Sequence, residues 1–233
     1  MTRVRAAVVS VPDLSLADRA QMLALMQQFY EGVRPETFHA DLDAKGTAIL
    51  ILDDSDQIVG FSTLRLVTVD VDGQPVTGIF SGDTILHRAH WGAIEPIVAS
   101  IRYFTTLAAE RGQLWWFLIS KGYKTYKLMP LFFSTFWPNR FAETPPAEQS
   151  IMDAYASTLF GQRYDPTSGI ITPSGADHLR SGVADIGDTQ LKDADVAWFT
   201  AANPGWAHGD ELVCLADLSP QNLRPAARRM LAR

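Results

Sequence analysis

The chain has 233 residues, 47% apolar and 20% charged, which suits one large domain whose core needs no covalent staples. A net charge of −6 argues against a nucleic-acid partner, and the lone cysteine, Cys214, excludes an internal disulfide and a multi-cysteine zinc site, in keeping with a reducing cytoplasm. No apolar secretory segment follows the first residues, and no stretch reaches the roughly 18 apolar residues of a membrane span.

Arg5–Val11 reads as a strand halted by Pro12, which has no N–H for a ladder. Ser15 then caps a helix, with Asp18 in capping-box position and Met22, Leu23, Met26, Phe29 and Tyr30 at helical spacing, up to Gly32. Pro35 opens a second helix with Phe38 and Leu42 inward and Gly46 as its stop. Thr47–Leu52 is a strand. Gln57–Val71 is a longer one, joined through Asp72-Gly73 to an antiparallel return, Val76–Leu86. Ile94, Ile97, Val98, Ile101, Phe104 and Leu107 form a helical stripe with Pro96 in its first turn and Gly112 as C-cap. Gln113–Ser120 is a buried strand, parallel to its neighbour if that helix is a crossover. A further helix starts near Gly122, with Pro130 as its kink or stop.

Past this point the pattern loosens. Phe141–Glu148 reads as a loop, and Ile151, Met152, Tyr155 and Leu159 as a helix. Residues 161–187 are mostly irregular, with a short strand at Gly169–Thr172. Leu191–Ala202 is helical, Glu211–Leu218 is a last strand, and Ser219-Pro220 opens a C-terminal helix.

The stretch Val76–Gly92 draws attention because a buried strand runs into a turn rich in His and Arg and then into a helix. Such a junction offers free N–H groups and a positive dipole end to phosphate, and Arg88 adds a fixed cation; the plain alternative is a solvated turn. Asp83, in the middle of the apolar strand, needs a partner or a role, and regular alternation would put it on one face with Ile79, Ser81, Ile85 and His87. Gly82 beside it is a natural bulge position.

The order strand–helix–helix–strand–long hairpin–turn–helix–strand–helix over roughly residues 5–135 resembles the GNAT superfamily of N-acyltransferases. Leu86-His-Arg-Ala-His-Trp-Gly92 stands where that family has its pyrophosphate loop, with Trp91 at the middle glycine of the pattern and Ala93 at its last position. Ile119-Ser-Lys-Gly-Tyr-Lys-Thr-Tyr126 stands where the family places a tyrosine early in its fourth helix.

The resemblance implies an α/β fold, a central mixed sheet flanked by helices, with residues 1–140 as the acyl-CoA-binding core and 141–233 as a dependent C-terminal extension packed on it. It implies direct transfer from acetyl-CoA, a longer acyl-CoA or an acyl carrier protein to an amine on a small molecule, amino acid or peptide, without a metal. A non-catalytic acyl-CoA-binding protein on the same fold is the alternative. The cofactor would lie on Leu86, Arg88, Ala89, His90, Trp91, Gly92 and Ala93. Asp83 would be general base or amine anchor, against a structural role paired with an arginine such as Arg65. His87 would be a base through water, being roughly 13 Å along the strand from Asp83. Tyr126, or else Ser120, would protonate the leaving thiolate.

Lys121, Lys124 and Lys127 share a helical stripe, read as a solvated face or a phosphate contact. Leu128–Trp137, rich in large apolar groups, is core or the wall of a long acyl channel, and Cys214 is a core thiol. The C-terminal third shapes the acceptor pocket, covers the sheet or pairs two subunits as a homodimer.

Overall fold

Odd and even residues of the long strands enter different cores, and this alternation sets the architecture. The computed structural model describes residues 4–173, 178–183 and 185–232. The chain runs β1 (Arg5–Ser10), α1 (Leu16–Phe29), β2 (Tyr30–Glu31), α2 (Pro35–Asp43) and β3 (Thr47–Leu52). The hairpin of β4 (Ile58–Val71) and β5 (Gln74–Leu86) leads to α3 (Glu95–Arg111) and β6 (Trp115–Ser120). Next come α4 (Tyr123–Tyr126), α5 (Leu128–Phe132), α6 (Pro146–Phe160), β7 (Tyr164–Asp165), β8 (Ile170–Ile171) and β9 (His178–Leu179). They are followed by α7 (Asp188–Leu191), α8 (Ala194–Ala202), β10 (Glu211–Asp217) and α9 (Pro225–Leu231).

Eight strands make one mixed sheet in the order β1-β3-β4-β5-β6-β10-β8-β7. Only the β5–β6 pair is parallel, as a crossover through α3 demands; every other neighbour is antiparallel. On one face, Ile49, Ile51, Leu64, Ile79, Trp116 and Leu118 pack against Ile101 and Phe104 of α3. On the other, Ala48, Leu50, Phe61 and Ile85 meet α1 and α2, while Val67, Val69, Phe80 and Phe117 meet Ile151, Met152 and Tyr155 of α6. The helix layer on this second face is therefore split, and the split leaves space over the middle of β5.

Local signals place most elements well. The capping box forms as drawn, Asp18 N–H donating to Ser15 Oγ at 3.1 Å and Ser15 N–H to the Asp18 carboxylate at 3.0 Å. Asp72 and Gly73 both take positive φ, 53° and 78°, as a tight two-residue hairpin requires. The helix expected near Gly122 breaks at Lys127 into α4 and α5, because Pro130 has no N–H to give the Tyr126 carbonyl. The helix expected over Leu191–Ala202 likewise breaks, since Asp193 turns its carboxylate onto the N–H groups of Asp195 and Val196 and starts α8 afresh. Helix α6 begins at Pro146, inside the expected loop. The C-terminal helix starts at Pro225, not Pro220, because Asn222 holds residues 217–223 in a turn by donating to the Asp217 and Thr135 carbonyls, each at 2.8 Å.

Residues after 141 join the same core. β10 lies along β6 in the sheet, and Phe199, Leu212, Cys214 and Ala216 pack in the cluster that holds Phe104 and Trp116. The apolar run Leu128–Trp137 divides: Met129, Phe132, Phe133 and Phe136 are buried in the core, whereas Leu131 is exposed. Among the described residues, no helix is long and apolar enough to cross a membrane.

Candidate active site

Strand β5 is held by a different neighbour at each end. Its parallel ladder with β6 runs only from Gly78↔Trp115 to Ser81↔Leu118. Beyond that, β5 stays with β4 as far as Leu86, while β6 stays with β10 as far as Ser120. The two central strands therefore part company, and among the described residues the β5 edge facing β6 has no ladder partner past Ser81.

The parting coincides with a bulge. Ser62 pairs with Thr84 and Leu64 with Ser81, so Gly82 and Asp83 together oppose Thr63. A side chain at position 82 would meet Lys45 Cε and Thr63 Oγ1, each at 2.7 Å, so only glycine fits there. Thr63 is fully buried, and its Oγ1 has no hydrogen-bond partner among the described residues. The extra residue also shifts the alternation: Ile79 and Ile85 go to opposite faces of the sheet. The single face expected for Ile79, Ser81, Asp83, Ile85 and His87 is thus corrected.

Two cavities flank the gap. One, about 360 Å³, opens on the α1/α2/α6 face and is lined by Asp41, Lys45, Arg65, Gly82, Asp83 and Glu211, among others. The other, about 420 Å³, lies toward the start of α3, with Ile49, Ile51, Phe61, Leu86, Trp91 and Ile97 in its wall. Tyr30, Thr84, Lys121 and Thr125 line both, so the cavities meet at the gap.

The turn after β5 closes on itself. Arg88–His90 form a single 3₁₀ turn, and the Trp91 indole N–H donates to the Leu86 carbonyl at 2.8 Å. Arg88 lies 5.1 Å from the Trp91 ring centre and Lys124 Nζ lies 3.8 Å from it. Burial, and then the neighbouring Arg88 charge, lower the Lys124 pKa, with Asp185 pulling the other way. Both cations hold carbonyls of one strap: Arg88 donates to Gly182 at 3.3 Å and Lys124 to Val183 at 3.0 Å. The strap is tied by β9 to β2 and by the Arg180 N–H to the Phe29 carbonyl at 2.8 Å, and Leu179 and Val183 line the apolar cavity. Gly92 and Ala93 face the same cavity from the turn before α3, and Pro96 and Ile97 face it from the helix's first turn, where N–H groups lack intrahelical acceptors.

The expected site residues thus fall into two groups. Asp83 lines the charged cavity, and Leu86, Trp91, Gly92 and Ala93 line the apolar one. Arg88 touches that cavity's Trp91, whereas His87, Ala89 and His90 face a shallow depression elsewhere, His87 Nδ1 accepting the Ala89 N–H at 3.3 Å. Tyr126 lies apart from both groups: it is fully buried, stacked 5.4 Å from Trp198, and donates to the Pro138 carbonyl at 3.2 Å, and burial pushes its pKa far up. It lines neither cavity. Ser120 is also buried, against Cys214 at 3.7 Å, and burial pushes the Cys214 thiol up to about 12.

The lysine stripe separates as well: Lys121 reaches Glu211 at 3.7 Å, Lys124 the strap, and Lys127 Asp193. As for the long acyl channel, Leu128 is the one described residue of Leu128–Trp137 that lines the apolar cavity; Met129, Phe132, Phe133 and Phe136 pack inward and Leu131 is exposed.

Sequence reading did not single out Tyr30, Lys45 and Glu211 for the site. Lys45 is buried, bonded to both Asp41 oxygens at 2.7 Å. The Asp41/Lys45 spacing of four was a visible helix pair, but its arrival at Gly82 was not.

No protein-family profile and no curated protein matches the sequence. Among solved structures, the chain is similar to a GNAT family N-acetyltransferase from Escherichia coli in complex with CoA, at 12% identity over 55% of this chain and 69% of that one, TM-score 0.40. It is similar to a GCN5-related N-acetyltransferase from Kribbella flavida at 10% identity over 58% of this chain, TM-score 0.42, and spans only 34% of that chain. A probable N-acyltransferase from Enterococcus faecalis aligns over 92% of this chain and 66% of that one, at 12% identity and TM-score 0.44. All three TM-scores lie below 0.5, so the weight rests on this chain's own gap, bulge and cavities.

Proposed function

We propose that the chain is an N-acyltransferase of the GNAT type, moving an acyl group from a CoA thioester to an amine across the β5–β6 gap. The observation that carries this is the meeting of an apolar and a charged cavity at that gap through Tyr30, Thr84, Lys121 and Thr125. The unpaired edge of β5 beyond Ser81 offers backbone groups to the amides of an extended pantetheine arm. The start of α3 and the cations Arg88 and Lys124 offer charge and N–H groups to its pyrophosphate.

In this reading the thioester carbonyl lies at the bulge, where Gly82 leaves room for backbone N–H groups to polarise it. The amine enters from the charged cavity, and Asp83 takes its proton as nitrogen bonds the acyl carbon. The C–S bond then breaks, and the thiolate leaves toward the apolar side. Tyr30 replaces Tyr126 as the proton donor, being the tyrosine that lines both cavities among the described residues. The carboxylate performs the proton transfer, so no covalent enzyme intermediate is required.

A second reading, a CoA-binding protein without turnover, is favoured by one feature: the Trp91 indole is bonded back to Leu86 with Arg88 beside it, where an open phosphate grip would need that space. The two readings separate by experiment. Calorimetry with CoA and with acetyl- to long-chain acyl-CoA measures binding, and thiol release with a panel of amines measures turnover. Binding with turnover supports transfer, binding alone supports the second reading, and no binding removes both.

A further inference from the structure

We infer that the acceptor amine carries an anionic group, a carboxylate or a phosphate, held by Arg34, Arg65 and Arg163. This rests on the acyl-transfer reading only in taking the charged cavity as the acceptor's. Five cations line that cavity among the described residues, Arg34, Lys45, Arg65, Lys121 and Arg163, against three acids, Asp41, Asp83 and Glu211. The lining is thus positive by two charges in a chain whose net charge is −6.

Two of these acids are engaged by the lysines. Asp41 bonds Lys45 at 2.7 Å, and Glu211 lies 3.7 Å from Lys121. Arg34 and Arg65 have no side-chain hydrogen bond or ion pair among the described residues. Arg163 gives one N–H to the Thr172 carbonyl at 3.3 Å and rests 5.2 Å from the Phe160 ring centre, with no carboxylate on its fork among the described residues.

Three guanidinium groups around one space repel each other unless an anion joins them. Their flat forks match carboxylate and phosphate oxygens in pairs. At about 360 Å³ the cavity takes a small molecule and not a folded partner. Asp83, beside the gap, supplies the opposite charge for the ammonium end. A zwitterion thus finds an acid for its amine and arginines for its anion in one cavity.

The test uses calorimetry on the whole chain, with and without CoA. The ligands are matched pairs: α-amino acids against their carboxamides, and aminoalkyl phosphates against the corresponding amino alcohols. The anionic member of at least one pair should bind roughly 10-fold tighter or more, the size of one charge-assisted contact. That preference should fall in Arg65→Gln and Arg163→Gln while circular dichroism stays that of the parent. The pair that responds identifies carboxylate or phosphate as the anion. Equal binding within every pair, tighter binding of the neutral members, no binding by any member, or a preference untouched by both substitutions overturns the inference. Loss of CoA binding alone, with the anion preference intact, would instead remove the acyl-transfer reading.

Discussion

The two cavities share one gap but differ in everything that lines them. On the α3 side the wall is Ile49, Ile51, Phe61 and Leu86 with an aromatic rim at Trp91. On the α1/α2/α6 side it is Asp41, Lys45, Arg65, Asp83 and Glu211. The difference arises because the α3 face carries a continuous core across the sheet, whereas the opposite helix layer is split between α1/α2 and α6. Charged groups are tolerated where the helix layer leaves the strand middle open to water, and they are costly where it does not. A reaction joining a long, largely apolar donor to a polar acceptor uses that asymmetry directly.

The sharpest way to break the comparison is Asp83→Asn. It should lower turnover by about 10²–10⁴-fold while leaving the calorimetric Kd for acyl-CoA unchanged, since Asp83 lines only the acceptor side. A matching loss of acyl-CoA affinity would mean that the cavities do not divide the labour. Gly82→Val tests the junction itself. The added carbons meet Lys45 and Thr63, so urea unfolding should show about 1–3 kcal/mol of lost stability.

Arg88→Ala addresses the other side: the CoA Kd should rise about 10-fold with acceptor binding unaltered. If the strap contact at Gly182 is all that Arg88 does, the affinity will instead stay level or improve.

Tyr126→Phe should do least. It removes one hydrogen bond to Pro138 and about 1 kcal/mol of stability, with kcat and KM unmoved. Burial raises the pKa of Tyr126, Tyr155 and Tyr164 alike, and the bond to Asp153 adds to it for Tyr164. A phenol whose folded pKa is raised contributes stability in full below its unfolded value near ~10 and loses it as pH climbs beyond. Absorbance titration should therefore show these three of the six tyrosines ionising only with unfolding, above about pH 10.

Much of the first 120 residues is legible locally. The Ser15/Asp18 box, the Asp72-Gly73 turn and the β-branched run Thr47–Leu52 each carry their own short-range signal, and each element forms close to its expected bounds. Errors cluster where a distant partner overrides a local signal. Ser219-Pro220 suits a helix start, but the helix begins at Pro225 because Asn222, whose partners are Asp217 and the distant Thr135, holds the turn between them. The surroundings of Tyr126 were equally beyond local reading: it is on a helix as expected, but the aromatic residues that enclose it come from α8 and the 136–138 turn.

The sequence by itself determined most of the strand and helix order through β6 and marked Asp83 as a residue needing explanation, because periodicity, caps and turns act over a few residues. The tertiary structure alone decided that β5 and β6 part after Ser81, that Lys45 reaches Gly82, and that Tyr30 lines both cavities. Those facts depend on which neighbour each strand keeps and how far its ladder runs, and such long-range pairing leaves no mark in any short stretch of sequence.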